Sequence, residues 1–155
     1  MSKRKIYIVL FTVYIVLLVL IVLLKFNGSF NEIAILRQSI IENRKDGIEN
    51  LNFVFFRTIL PYIENITEPY AFKNILGNII TFIPMGFFIS KIYFKKIFYK
   101  TLLTCIIILL SIECLQFIFM ICFFDVDDIF LNLLGCLIGY LVNFCLDIIY
   151  NSRQK

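Results

Sequence analysis

The chain contains no histidine and no tryptophan, and only 17% of its 155 residues are charged. Without histidine there is no Ser-His relay, no imidazole metal ligand and no side chain that ordinarily titrates near neutrality. Without tryptophan, any interfacial aromatic belt has to be built from 8 Tyr and 18 Phe. The shortage of charge is matched by an apolar excess: 61% of residues are hydrophobic, against roughly 45–50% in ordinary soluble domains. Mean hydropathy is +0.91. A soluble domain of ~150 residues buries only about 70% of its extended surface, so this much apolar side chain has to face something other than water. A soluble enzyme is excluded. The net charge of +4 is too small to mark a nucleic-acid binder, and no nucleic-acid partner is expected.

A membrane-spanning helix needs about 20 mostly apolar residues. Ile6 to Leu24 runs without a charge between Lys5 and Lys25, and Asn74 to Ser90 does so between Lys73 and Lys91. The stretch between Lys100 and Asp125 carries a single charge, Glu113, and Ile129 to Leu146 is closed by Asp147. The expected fold class is therefore all-α: a polytopic membrane protein, a bundle of four transmembrane helices with an extracellular segment after the first. Residues 1–26 form an N-terminal anchor helix, residues 27–73 the extracellular segment with an interfacial helix, and residues 74–150 a three-helix core. The first apolar run is longer than a signal-peptide core and no small-x-small site precedes Lys25, so it reads as a retained anchor.

Within 27–73, Ile33, Leu36, Ile40 and Ile41 recur at helical spacing, followed by a polar turn from Asn43 to Gly47. The apolar run from Leu51 to Leu60, ending at Pro61, is too short to span and suits an interfacial or re-entrant piece. Basic residues collect at Lys3, Arg4 and Lys5, at Lys91, Lys95, Lys96 and Lys100, and at Arg153 and Lys155. By the positive-inside rule these flanks are cytoplasmic, which puts both termini inside a multi-pass protein of the cell membrane. The 5 cysteines form no C-x-x-C pair and read as buried apolar filler.

Polar residues inside apolar helices are costly, so their positions carry information. Glu113, with Gln116 three residues on, interrupts an otherwise apolar or small helix. Asp125, Asp127 and Asp128 lead into the last helix, and Asn132 lies one turn beyond Asp128 on the same face. Asn74 and Asn78 share a face of the second helix, with Gly77 between them. Three helices thus place polar groups in one leaflet, which predicts a shared, outward-facing polar cavity. The candidate ligand-binding cluster is Asn74, Asn78, Glu113, Gln116, Asp125, Asp128 and Asn132. Glu113 stays ionised in such a site only beside a cation, and Arg57 or Lys73 is the expected counter-ion. Gly77, Gly86, Gly135 and Gly139 would let helix backbones approach closely, and Pro84 would kink the second helix. The plainer alternative is that these polar groups only glue helices together. The inner halves read as apolar, at Phe87, Phe88 and Ile89, at Leu102, Leu103, Ile106 and Ile107, and at Leu141, Val142 and Phe144, which argues against a transport pathway across the whole membrane.

The pattern resembles the VanZ family of small integral membrane proteins. Asn74-x-x-Gly77-Asn78-x-x-x-Phe82-x-Pro84-x-Gly86 is similar to that family's first block, and Glu113-x-x-Gln116 to its second. Asp125-x-Asp127-Asp128-x-x-x-Asn132-x-x-Gly135-x-x-x-Gly139-Tyr140 is similar to its third. Phe56-Arg57-Thr58-Ile59 resembles a further family segment, although Phe55 stands where Pro is frequent. Ile121 and Cys122 stand where the family turn often carries Gly-Arg. The resemblance implies a bacterial cell-envelope role, with lowered susceptibility to teicoplanin-type lipoglycopeptides as its sharpest form. The expected partners are membrane lipid and a lipid-linked cell-wall precursor or the lipoglycopeptide itself, with room for an oligomer and no cofactor. The competing expectation is a membrane-embedded lipid-processing enzyme, in which Asp125, Asp127, Asp128 and Glu113 gather a divalent cation through oxygen ligands. The missing histidine and the lack of a nucleophile beside a base favour binding over catalysis.

Overall fold

The apolar runs fold as four helices long and apolar enough to cross a membrane, within Arg4–Ile21, Pro69–Ile92, Phe98–Ile118 and Val126–Ser152. The computed structural model describes residues 3–24, 30–48, 50–93, 97–120 and 122–153. The element order is α1 (Lys3–Leu24), α2 (Phe30–Lys45), β1 (Leu51–Asn52), α3 (Ile59–Glu64), α4 (Pro69–Ile92), α5 (Phe98–Ile118), β2 (Phe124–Asp125) and α6 (Val126–Ser152). Lys25, Lys95, Lys96, Ile121 and Lys155 lie outside the described residues, as does the side chain of Ile33.

The bundle is built on α4 and α6, which begin at the same end and run parallel. A Cβ on Gly86 would stand 1.8 Å from the Cys136 carbonyl oxygen, one on Gly135 2.2 Å from that of Ile79, and one on Gly139 1.9 Å from that of Ile83. Only hydrogen fits at these positions, so the two backbones touch directly. Gly77 is different from the expectation: a Cβ there would meet nothing within 4 Å. It serves open space rather than close approach.

The buried core between the helices is small, comprising Leu18, Phe82, Met85, Ile89, Cys105, Leu109 and Cys136. Large apolar side chains such as Val13, Val16, Leu103, Ile107 and Leu141 point outward and are exposed, as lipid-facing surfaces require. Helix α1 docks on α4 through a polar contact. The Tyr14 hydroxyl donates to the Thr81 carbonyl at 2.9 Å, and the Met85 backbone N–H lies against the same hydroxyl. Pro84, inside α4, has no N–H to give to the preceding turn, and Tyr14 enters the helix beside that gap.

Three boundaries differ from the sequence expectation. Helix α4 starts at Pro69, not Asn74, with proline in the first turn, where its fixed φ and missing N–H cost nothing. Lys73 is exposed just beyond that first turn, so its charge does not end the helix. The Leu51–Leu60 run is not one interfacial piece. It divides into β1, a turn and the start of α3, with Pro61 inside α3. The turn expected at Asn43–Gly47 is shorter, because α2 continues through Lys45: Gly47, at φ 76°, closes the helix, and the Ile48 N–H bonds the Asn43 carbonyl at 2.9 Å, satisfying an end carbonyl.

The inner half of the bundle is more polar than its sequence suggests. Asn143 is 1% exposed and its Nδ2 donates to the Ser90 hydroxyl at 2.7 Å. Near that end Lys91 pairs with Asp147 at 3.0 Å. The expectation of an entirely apolar inner half is corrected: one helix face packs an asparagine inward while its neighbours Leu141, Val142 and Phe144 point out.

Candidate functional site

At the end of the bundle where α4 and α6 begin and α5 finishes, the segment after α1 is bound to the α5–α6 turn. Strand β1 pairs in parallel with β2, Leu51 opposite Phe124 and Asn52 opposite Asp125. Asn50, 1% exposed, braces this junction. Its backbone carbonyl accepts from the Phe124 N–H at 3.0 Å, its Nδ2 donates to the Cys122 carbonyl, and its Oδ1 accepts two bonds from the Arg44 guanidinium. That guanidinium also lies over the Phe117 ring, 4.9 Å from its centroid.

The three aspartates of the turn have separate tasks. Asp125 caps α6, its Oδ1 accepting from the Asp127 N–H at 2.9 Å, and it also accepts from Asn52 Nδ2 and the Thr58 hydroxyl. Asp127, 1% exposed, turns toward the loop before α3. Its Oδ1 accepts from the Phe56 N–H at 2.7 Å. Its Oδ2 accepts from the N–H groups of Thr58 at 2.8 Å and Ile59 at 3.1 Å. Asp128 faces the bundle, where Asn78 Nδ2 donates to it at 2.8 Å. Placing carboxylates in the first turn of α6 also complements its dipole. Among the described residues no three His, Cys, Asp or Glu side chains gather as a cation site. The four carboxylates expected to converge are instead divided between capping, loop-holding and the bundle interior.

Beneath this turn lies a cavity of about 210 Å³, lined on its polar side by Asn74, Asn78, Glu113, Gln116, Asp128 and Asn132. Ile21, Phe82 and Ile112 supply apolar wall, and Gly77 adds no side chain to it. The volume is well above the ~10–15 Å³ that admits one water. Glu113 and Asn132 are each 4% exposed, and among the described residues Glu113 Oε2 and Asn132 Oδ1 have no hydrogen-bond partner. The structure therefore brings the candidate cluster together, except for Asp125, which is spent at the α6 cap. Arg57 and Lys73 are exposed, and the one ion pair among the described residues joins Lys91 to Asp147. The expected pairing of Glu113 with either cation is not formed. Tyr62, within α3, has its phenol pushed above the usual range, first by burial and then by the charges of Asp128 and Asp125.

The pattern of the VanZ/LLP1 family matches residues 11–147. The chain belongs to the VanZ/LLP1 family. The match takes in α1 from Phe11 onward as well as the three-helix core. No curated protein and no solved structure matches the chain. The motif blocks that carry the VanZ resemblance lie mainly in the core, between Asn74 and Tyr140. Tyr14, Asn50 and Asn52 escaped the sequence reading because each acts through hydrogen bonds to distant parts of the chain, which leave no local periodicity. Asp127 was noticed as a charge, but nothing in its spacing revealed that its partners are backbone groups of the loop before α3.

Proposed function

We propose that this VanZ/LLP1 protein sits in the bacterial cell membrane with both termini cytoplasmic and its polar cavity toward the outer leaflet. There it binds the polar part of an amphiphilic envelope component, and by holding or masking that component it lowers susceptibility to teicoplanin-type lipoglycopeptides. The observation that carries the reading is the pair of buried, unpartnered oxygens, Glu113 Oε2 and Asn132 Oδ1, in one cavity. An unsatisfied buried acceptor costs about 1–3 kcal/mol, and two of the three such oxygens among the described residues share this one cavity, the third being Asn143 Oδ1 in the inner half. The four exposed apolar side chains of Phe53, Val54, Phe55 and Phe56 lie next to the cavity-bearing end and suit a headgroup boundary. Lipid processing is less well supported, since both oxygens of Asp127 are committed to backbone donors.

The test is expression in a susceptible Gram-positive host, comparing wild type with Glu113→Gln. Lower teicoplanin susceptibility with wild type, lost with the substitution at equal protein level, supports the reading. Unchanged susceptibility with wild type removes the resistance role. Orientation is read separately in a cysteine-free background. A membrane-impermeant thiol reagent should label Phe55→Cys in whole cells and Tyr150→Cys only after lysis.

A further inference from the structure

Two oxygens set what the cavity can accept. Glu113 Oε2 comes from α5 and Asn132 Oδ1 from α6; each residue is 4% exposed, and among the described residues neither oxygen has a hydrogen-bond partner. The Asp125 backbone N–H lies against the Glu113 carboxyl, so that side chain is held in place with Oε2 left over. The amide oxygen of Asn132 only accepts, whereas a carboxyl accepts when ionised and also donates when protonated. A hydroxyl fits both residues in either case, because it donates through its hydrogen and accepts through its lone pairs. An ammonium has no acceptor for a carboxylic O–H, and a fully ionised phosphate has no donor for the Asn132 oxygen.

Size and walls narrow the occupant further. The volume of about 210 Å³ exceeds the ~150 Å³ of an engineered cavity that takes up a benzene ring, so a six-membered ring enters. Ile21, Phe82 and Ile112 share the wall with the polar groups. A water needs about 2–4 polar partners and finds none along those side chains. A pyranose ring presents C–H faces to apolar wall and a rim of hydroxyls to Glu113 and Asn132. We infer that the cavity binds a neutral sugar ring through its hydroxyls, as the headgroup of a glycolipid or as a free saccharide. This rests on the cavity-binding reading above and names the ligand chemistry. No charge on either residue is needed for the match.

The experiment uses the full chain in phosphatidylcholine nanodiscs, whose headgroup has neither O–H nor N–H. The thermal midpoint of unfolding is followed after adding glucosyl diacylglycerol, its per-O-methylated analogue, phosphatidylethanolamine, phosphatidic acid or free methyl glucoside. A midpoint raised by glucosyl diacylglycerol and unmoved by the methylated analogue supports the proposal and places the sugar on a lipid. A rise with methyl glucoside alone supports it with a soluble saccharide as the source. Equal rises with the sugar lipid and its methylated analogue overturn it, because the hydroxyls then do nothing. Asn132→Leu removes one acceptor and should weaken the half-saturating concentration by about two- to tenfold, the effect of losing one neutral hydrogen bond; an unchanged concentration overturns the hydroxyl contact. Gly77→Leu is the second variant: Gly77 lines the cavity, and a Cβ there would meet nothing within 4 Å. It should fill the space and abolish the sugar response without lowering the midpoint of the free protein. A sugar response that survives Gly77→Leu undiminished overturns the proposal, since the sugar then binds elsewhere. A response to phosphatidylethanolamine or phosphatidic acid alone, removed by Gly77→Leu, overturns the sugar assignment while cavity binding stands. No response to any probe overturns both.

Discussion

Phe56 holds a left-handed backbone conformation, φ 66°, with its N–H on Asp127 Oδ1 at 2.7 Å. A bulky residue is rarely found there, and the position of Asp127 explains how it is kept. The same carboxylate takes the N–H groups of Thr58 and Ile59, so one side chain organises the whole entry to α3. Asp127→Asn keeps the shape but replaces one acceptor by an NH₂ group facing a donor. The expected cost is on the order of 3 kcal/mol, with amide exchange accelerating across Phe56 to Ile59. Unchanged thermal unfolding together with unchanged exchange in those residues would show that Asp127 does not hold the loop.

The glycines of α4 and α6 divide into two kinds. Gly139→Ala drives a methyl group to within 1.9 Å of the Ile83 carbonyl oxygen, and overpacking against backbone costs about 2 kcal/mol or more. Gly77→Ala meets nothing within 4 Å, and replacing a helical glycine by alanine stabilises by roughly 0.5–1 kcal/mol. Thermal midpoints in one detergent should therefore move in opposite directions. Equal destabilisation by both would mean that Gly77, too, is a contact residue.

What the sequence could tell follows from the range over which each signal acts. The four spans were legible because apolarity is local and has to be sustained over a full membrane thickness. The polar cluster was legible because Asn74 and Asn78, Asp128 and Asn132, and Glu113 and Gln116 each lie about one turn apart, and three such pairs coincide in depth. The division of labour among Asp125, Asp127 and Asp128 was not legible. Adjacent residues of one turn part company only when their partners are known, and those of Asp127 lie 68 to 71 positions away. Asn143 was hidden for a related reason: in a run read as lipid-facing, helix rotation alone decides that it packs on Ser90.

Tyr14→Phe removes only the hydroxyl that donates to Thr81. Interhelical bonds of this kind are worth about 0.6–2 kcal/mol in membranes, so a modest loss of thermal stability is expected. The variant should also protect less well against exchange near Met85, where Pro84 has already removed a backbone donor. If the midpoint and the exchange pattern both match wild type, the hydroxyl contributes nothing to docking α1.

The inner pair provides a separate check on whether polarity crosses the bundle for a reason. Asn143 Nδ2 donates to Ser90 Oγ, which in turn donates to the Phe87 carbonyl. Ser90→Ala leaves a buried amide without its acceptor and should cost about 1–3 kcal/mol. Adding Asn143→Leu removes the orphaned amide, and replacing both partners by apolar groups is close to neutral. The double variant should therefore be more stable than Ser90→Ala alone, with a favourable coupling measurable in a double-mutant cycle. Its response to ligands of the cavity beside Glu113 should equal that of wild type. A double variant that folds as well as wild type but has lost that response would show that the pair is part of a polar track across the membrane rather than a local fastening.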